Sequence, residues 1–240
     1  MTARRTLLAG WLLALAVAAL FARLGAWQLD RMRQKQAWLD AAQAALQART
    51  PRPLALAADP ARARGYDWAE GRGRFTAAPA VLLDNQEHAG RIGVRAYRVF
   101  QPEHGAPLLV ELGWLPVPGD RRMPSVPVPA LREVAGLLAS PPSAGLAQPV
   151  AQPQPDGSLL LVSFDLPLLR RTLHLPALAP RVLKLDPALP PAYPRTLDIL
   201  PNTLPPDRHL GYAVQWFALA ATVLVIALVL TLRKPKRPSP

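Results

Sequence analysis

The polar and aromatic side chains most capable of chemistry stand close together near the C-terminus, at the start of a long apolar segment. They are His209, Tyr212, Gln215 and Trp216. Successive helical residues are rotated by about 100°, so the imidazole and the two rings fall within an arc of roughly 60°, with the amide at its border. This spacing predicts that the four side chains lie on or beside one face of a helix.

Two interpretations of this face stay open from the residues alone. Aromatic belts place tyrosine and tryptophan at membrane interfaces, which accounts for Tyr212 and Trp216 without a ligand. Gln215 would lie one or two turns inside hydrocarbon, where an amide needs a partner on another helix or on a ligand. A neutral imidazole at His209 could ligate haem iron, with the aromatic rings flanking the porphyrin.

The end of the first apolar segment offers matching side chains, namely Trp27, Gln28 and Arg31. Arg23, Trp27 and Arg31 recur every four residues and therefore share one helix face. A guanidinium group there could pair with a propionate or with a lipid phosphate. Ordinary snorkelling of arginine to the interface is the alternative.

Two apolar segments must position these residues. Residues 6–22 form a run of 17 uncharged residues, and residues 210–232 form a run of 23. At about 1.5 Å per residue the second run spans roughly 34 Å, enough to cross a bilayer. Ala16-Val17-Ala18 resembles a signal-peptidase site, but the apolar run continues past it and no proline occurs before Pro51. We therefore expect an uncleaved transmembrane helix with a helical extension over residues 23–50.

Basic residues are concentrated beside the apolar segments. The chain has 28 bases and 16 acids, a net charge of +12, whereas residues 36–209 hold 18 bases and 15 acids, an excess of only 3. No concentrated phosphate-binding stripe remains, so nucleic acid is not an expected partner, whereas membrane lipid is. The basic tail, residues 233–240, predicts that both termini, including residues 1–5, are cytoplasmic in a two-pass protein of the bacterial inner membrane. The bases that follow residue 22 locally favour the opposite orientation.

Residues 51–209 are predicted to form a periplasmic domain, giving an α+β membrane protein in which two transmembrane helices flank an antiparallel β-rich domain. Short apolar or alternating runs separated by polar, glycine-bearing turns favour strands. The chain has 29 prolines, which argue against long helices here and predict extended linkers over residues 123–130 and 187–206. A short helix is expected over residues 166–173, with Asp165 as its cap. The expected strands cover residues 71–75, 80–84, 94–101, 107–117, 131–139, 159–164 and 182–185.

Enzymatic chemistry is disfavoured by the motifs. The chain has no cysteine, which excludes a thiol nucleophile and a Cys-ligated metal. It also has no nucleophile elbow, zincin helix or phosphate-cradling loop, so we expect no enzyme. In the strand around Gly113 and Trp114, the glycine could admit a binding partner and the tryptophan could anchor it, or both could simply pack. Alternation along that strand places Glu111 on a solvent face.

Four segments, taken in order, carry a resemblance to a known family. They are "LGAWQLDRMRQK", "LLDNQEHAGRIGVRAYRV", "LLVELGWLPV" and "HLGYAVQWFALA". The sequence resembles the Surf1 family of cytochrome c oxidase assembly proteins over nearly its full length. The first and last segments are the most specific.

This resemblance implies a non-enzymatic factor that aids maturation of the catalytic subunit of a haem-copper oxidase, through transient handling of haem a. It implies that His209 is a haem iron ligand, with Tyr212, Gln215, Trp216, Trp27 and Arg31 around it, and that Gly113 and Trp114 belong to a partner-binding Gly-Trp pair. The implied partners are the oxidase catalytic subunit and haem a synthase. A cofactor-free membrane scaffold that stabilises oxidase assembly intermediates is the alternative.

Several positions depart from the family pattern. Gln86 follows Asn85 where the family has arginine, and Glu111-Leu112 stands where it has Asn-Arg. Asp207-Arg208 replaces an Asn-Asn pair before the histidine. Any role of the missing arginines in docking an acidic partner is therefore not expected to be conserved here in the same form.

Overall fold

The computed structural model describes residues 2–142, 148–199 and 204–233. They belong to two compact units, one made of Met1–Leu39 with Thr203–Pro240 and the other of Asp40–Asn202. The predicted basic tail after Arg233 lies outside the described residues, as does part of the second predicted linker. Each unit is described separately.

The first unit is built from two long helices. α1 covers Thr2–Ala48 and ends within two residues of the predicted limit, because no proline interrupts it before Pro51. The C-terminal helix covers Pro206–Leu232, and a proline starts it because the first helical turn needs no backbone donor there. The stretches Arg4–Ala48 and Pro206–Leu232 are long and apolar enough to cross a membrane. With the sheet domain between them, the chain is a two-pass membrane protein.

The second unit contains a sheet and one short helix, α2, at Leu166–Thr172; the C-terminal helix is accordingly α3. The Asp165 carboxylate accepts a hydrogen bond from the Leu168 backbone amide, so the predicted cap is confirmed. Single 3₁₀ turns cover Leu54–Ala58 and Pro60–Arg62. The strands in the described residues are β1 Arg52–Pro53, β2 Asp67–Phe75, β3 Val81–His88, β4 Arg91–Pro102, β5 Leu108–Pro116, β6 Glu133–Ala139, β7 Ala151–Pro153, β8 Leu159–Leu161 and β9 Val182–Leu185.

The strand order within the described residues is β1-β2-β6-β9-β5-β4-β3-β8-β7. β2 also pairs with β4, which closes a ring of five strands, β2-β6-β9-β5-β4. The predicted antiparallel sheet is therefore corrected to a mixed one, because β1–β2, β3–β8 and β5–β9 are parallel pairs. β9 reaches the sheet through a long connection that contains α2, whereas β7 and β8 form an antiparallel hairpin joined by residues 154–158.

Alternation along β5 divides its buried side chains between two hydrophobic clusters. Leu108, Val110 and Leu112 join one cluster, and Leu109 joins the other, which packs against α2 through Leu169. Both faces of this strand are therefore covered. The long apolar runs in the sequence reflect burial on both faces rather than a sheet with one solvated face.

The predicted turn after residue 84 is shorter than expected. β3 continues to His88, and only Ala89 and Gly90 form the turn to β4. Asn85 has a φ of +55° at an irregularity in the β3–β4 register, which lets the strand continue through the polar stretch. These polar residues remain part of β3 because the strand pairs with β4 on both sides of the irregularity.

Candidate functional site

The two helices of the first unit pack side by side. The rings of Phe21 and Trp216 lie 5.5 Å apart between centroids. Gly25 is buried, and a Cβ atom added there would lie 2.9 Å from the ring of Phe217. Ala213 is also buried at the contact. The small residue Gly25 on α1 thus admits the large ring of Phe217 on α3, and small residues at contacts are the usual way in which membrane helices approach closely.

Polar contacts tie the helix pair together toward both of its ends. The Trp11 indole donates a hydrogen bond of 3.0 Å to the Thr231 hydroxyl. Toward the other end, the Lys35 ammonium donates to the backbone carbonyl of Leu204. Residue numbers rise along α1 from Trp11 to Lys35 while their partners fall from Thr231 to Leu204, so the helices are antiparallel.

His209 lies at the interface of this helix pair, with only 8% of its surface exposed. Its Nδ1 atom is 2.7 Å from Oε1 of Gln28. An amide oxygen only accepts, so Nδ1 carries the proton and Nε2 holds a free lone pair. Nε2 is buried and has no hydrogen-bond partner among the described residues. An unused acceptor of this kind is costly in an apolar site unless something binds it.

The other predicted site residues of the helix pair are more accessible. Trp27 is 52% exposed and Tyr212 is 44% exposed. Gln215 is exposed on α3, and Arg31 is exposed on α1, where its guanidinium donates to the Gln34 amide oxygen at 2.8 Å. The structure thus joins His209 to Gln28 directly, and Trp216 to Phe21, whereas Trp27, Arg31, Tyr212 and Gln215 line the surface.

The sequence placed Gln28 at the end of the first apolar segment, but Gln28 was not among the predicted site residues. The feature of the sequence that could have identified Gln28 is its spacing from the residues of α1 that contact α3. Phe21, Gly25 and Gln28 follow the i, i+4, i+7 spacing of one helix face. The stripe of Arg23, Trp27 and Arg31 lies about a third of a turn away around α1, so it flanks this contact face.

In the second unit, Gly113 and Trp114 are held by contacts within the chain. Gly113 has a φ of +136°, and an added Cβ would lie 2.8 Å from Cβ of Tyr193 and 2.9 Å from the carbonyl oxygen of Pro194. The Trp114 amide donates to that same oxygen at 2.7 Å. Glycine is needed here because the proline-rich segment runs directly against the strand.

The Trp114 side chain is 5% exposed, and its indole donates to the backbone carbonyl of Gln86 at 2.8 Å. The His88 ring lies 5.3 Å from it, and the Arg91 guanidinium lies 5.9 Å from it. These contacts support the packing interpretation of the Gly-Trp pair. Partner binding through Gly113 and Trp114 stays a prediction.

Glu111 is buried, and this corrects its predicted solvent exposure. Only 3% of its surface is accessible. Its carboxylate accepts from Arg95 at 2.6 Å and from Lys184 at 3.0 Å, with the Tyr97 hydroxyl 3.4 Å away. Burial opposes ionisation, but the charges of Lys184 and Arg95 outweigh it and lower the pKa of Glu111. Alternation failed as a guide because both faces of this strand are covered.

Among the described residues, no group of three or more histidine, cysteine, aspartate or glutamate side chains is placed to hold a metal ion. Of the histidines in the described ranges, His209 is the one with a buried ring nitrogen that has no hydrogen-bond partner. Within the described part of the chain, the arrangement at the helix pair therefore offers a single nitrogen ligand rather than a multidentate cage.

Comparison with curated proteins finds no significant match. The model of the SURF1 family, in contrast, matches residues 15–221, which include α1 from residue 15, the whole sheet domain and the N-terminal part of α3. This match contains His209 and its partner Gln28. The family is known in general for cytochrome oxidase assembly factors, and this chain belongs to the SURF1 family.

Proposed function

We propose that this protein assists haem a delivery to the catalytic subunit of a haem-copper oxidase, and that His209 is the residue that would hold the haem iron transiently. The observation that carries the proposal is the buried Nε2 atom of His209, which has a lone pair and no hydrogen-bond partner among the described residues. Imidazole nitrogen is a common protein ligand of haem iron.

The residues present fit such a group. His209 supplies one neutral nitrogen, and the Trp216 ring lies two turns further along α3 against Phe21. Haem a would supply an iron centre able to accept an imidazole nitrogen. Because Nε2 is covered in this conformation, a ligand reaches it only when a neighbouring side chain moves. Such a requirement suits a protein that holds its cargo briefly.

Helical geometry supports a common side for the remaining candidates. At about 100° per residue, Trp27 and Arg31 on α1 and Tyr212 on α3 project from the same side of an antiparallel pair whose contact runs through Gln28 and His209. All three side chains are exposed. Aromatic surfaces can pack against a porphyrin, and the Arg31 guanidinium can pair with a propionate.

A cofactor-free scaffold is the second candidate function, and one observation favours it. Gln215 is exposed within the α3 span and has no hydrogen-bond partner among the described residues. An amide in the outer leaflet is stabilised by a partner helix. In this function the helix pair would hold oxidase subunits together during assembly without contacting haem.

The proposed location is the bacterial inner membrane, with the sheet domain in the periplasm and both termini cytoplasmic. Arg4, Arg5 and Arg233 lie at the same end of the antiparallel helix pair. The positive-inside rule places that end in the cytoplasm. His209 and Gln28 then lie near the outer surface, where the catalytic subunit of an oxidase is accessible within the membrane.

An absorption spectrum tests the haem function directly. Full-length protein is purified in detergent from cells that synthesise haem a, beside His209→Ala and the matched control His104→Ala, whose imidazole lies in an exposed loop of the other unit. We expect a Soret band in the wild type and the control, and its loss or shift in His209→Ala. An identical band in all three proteins would remove His209 as the ligand.

A second experiment separates the two functions. The gene is deleted, and the haem a content of the terminal oxidase and its subunit composition are measured. Haem delivery predicts an assembled oxidase depleted of haem a. A scaffold predicts loss of subunit association, together with a purified wild type that stays colourless yet co-purifies with oxidase subunits.

A further inference from the structure

The contact between Gln28 and His209 links two distant parts of the chain. The two residues are 181 positions apart, and Oε1 of Gln28 lies 2.7 Å from Nδ1 of His209. Gln28 is half-buried on α1, on the face that also carries Gly25 and Phe21. Its position is set by close helix packing rather than by a flexible loop, so the amide oxygen meets the imidazole in a defined geometry.

The chemistry of this contact selects one form of the imidazole. A neutral histidine has one protonated and one unprotonated nitrogen, and the acceptor at Nδ1 determines which is which. With Gln28 accepting, Nδ1 is protonated and the buried Nε2 atom keeps its lone pair. Metal-ligating histidines usually donate their other N–H to an acceptor in this way, which fixes both tautomer and ring orientation.

We infer that Gln28 is a positioning residue, which holds His209 as the Nδ1-protonated tautomer and so presents Nε2 as a ligand nitrogen. This inference rests on the proposed haem function. The acceptor is a neutral amide rather than a carboxylate, so it orients the imidazole while adding little to its basicity. A ligand of ordinary basicity favours release of the iron over permanent retention.

An interhelical hydrogen bond without any role at Nε2 is the competing explanation. Such bonds contribute to helix association in membranes. The two explanations differ in what happens to the imidazole itself. If Gln28 only joins the helices, then replacing it changes stability and leaves haem affinity and reduction potential unaltered.

The test compares wild type, Gln28→Leu and Gln28→Glu, with Gln43→Leu as the matched control. Gln43 is exposed on the same helix, about 22 Å further along it. We expect Gln28→Leu to weaken haem binding in detergent by about 10- to 100-fold. Gln28→Glu should retain the haem but lower its reduction potential, because a carboxylate acceptor makes the imidazole a stronger donor. Gln43→Leu should match the wild type.

The tautomer is read separately by ¹⁵N NMR on histidine-labelled protein without haem. The chain has four histidines, and His209→Ala identifies the relevant signals. We expect a protonated Nδ1 and a bare Nε2 in the wild type, and a mixture of tautomers in Gln28→Leu. Suppose that the wild type binds haem through His209, and that both Gln28 substitutions leave the tautomer, the haem affinity and the reduction potential unaltered. This result would overturn the inference about Gln28 but not the proposed haem function. A wild type that binds no haem would overturn the proposed function, and the role of Gln28 toward iron with it.

Discussion

Glu111 is a buried carboxylate in the middle of β5, and two cations converge on it. Arg95 and Lys184 are each within hydrogen-bond distance, and the Tyr97 hydroxyl completes the cluster. Paired burial of this kind adds modest net stability, but removing one partner is expensive because the remaining charges stay desolvated. We therefore predict that loss of the Glu111 charge destabilises the folded protein.

We expect Glu111→Gln to lower the free energy of unfolding by about 3–5 kcal/mol, since Arg95 and Lys184 would be left without a counter-charge. Urea denaturation of the detergent-solubilised protein, followed by circular dichroism, measures the change. The control is Glu133→Gln, which breaks an exposed pair with Arg72 and should cost less than about 1 kcal/mol. Equal losses in the two variants would show that the buried cluster has no special weight.

The same carboxylate makes stability depend on pH in acid. Its folded-state pKa is lowered below the ordinary value of 4.5, so the unfolded chain takes up the proton first as the pH falls. The stabilisation from Glu111 is thus complete above about pH 4.5 and is lost as the pH falls toward the folded-state pKa. Unfolding measured at pH 3 to 6 should show this loss in the wild type, whereas Glu111→Gln lacks the contribution of this group.

Gly113 is a second position at which a single atom matters. Its positive φ and the nearby Tyr193 and Pro194 leave no room for a Cβ atom. We expect Gly113→Ala to lower the free energy of unfolding by about 1–3 kcal/mol, measured by the same denaturation. Gly119→Ala is the control, because nothing lies within 4 Å of its added Cβ. A fully stable Gly113→Ala would contradict close packing of the proline-rich segment.

At the level of elements, the helix pair was foreseen more fully than the sheet. The lengths and compositions of α1 and α3 follow from local sequence, and their packing places small residues opposite rings. Seven of the nine strands in the described residues were also predicted near their observed positions, with β9 at its predicted bounds, whereas the short strands β1 and β7 were missed. Their pairing was not, because the parallel β5–β9 and β3–β8 contacts join residues far apart in the chain.

Gly25 tests the packing of the helices. We expect Gly25→Leu to push α1 away from Phe217 and to weaken the Gln28–His209 contact, lowering the thermal midpoint of the detergent-solubilised protein. Phe217→Ala added to the same chain should restore part of the loss, because it removes the clashing ring. Gly10→Leu, where nothing lies within 4 Å, should behave as the wild type. The idea fails if the double variant is no more stable than Gly25→Leu.

At the level of the whole molecule, charge predicts the topology. The base excess outside residues 36–209 flanks the apolar segments, and both helices can span a bilayer. A reporter that is active only in the cytoplasm should therefore be active when it is fused to either terminus. A reporter that is active only in the periplasm should be active when it is inserted after Gly119. Opposite results at the two termini would exclude an even number of spans.

The sequence by itself determined the membrane segments, most strand positions, the capped helix and the His209 face, because these depend on local hydropathy, turn chemistry and helical period. It did not determine which side chains meet. Gln28 reaches His209 across 181 residues, and Glu111 meets Arg95 and Lys184 across neighbouring strands. Such contacts depend on the register and rotation of packed elements, which only the tertiary structure fixes, since many registers satisfy the same local pattern.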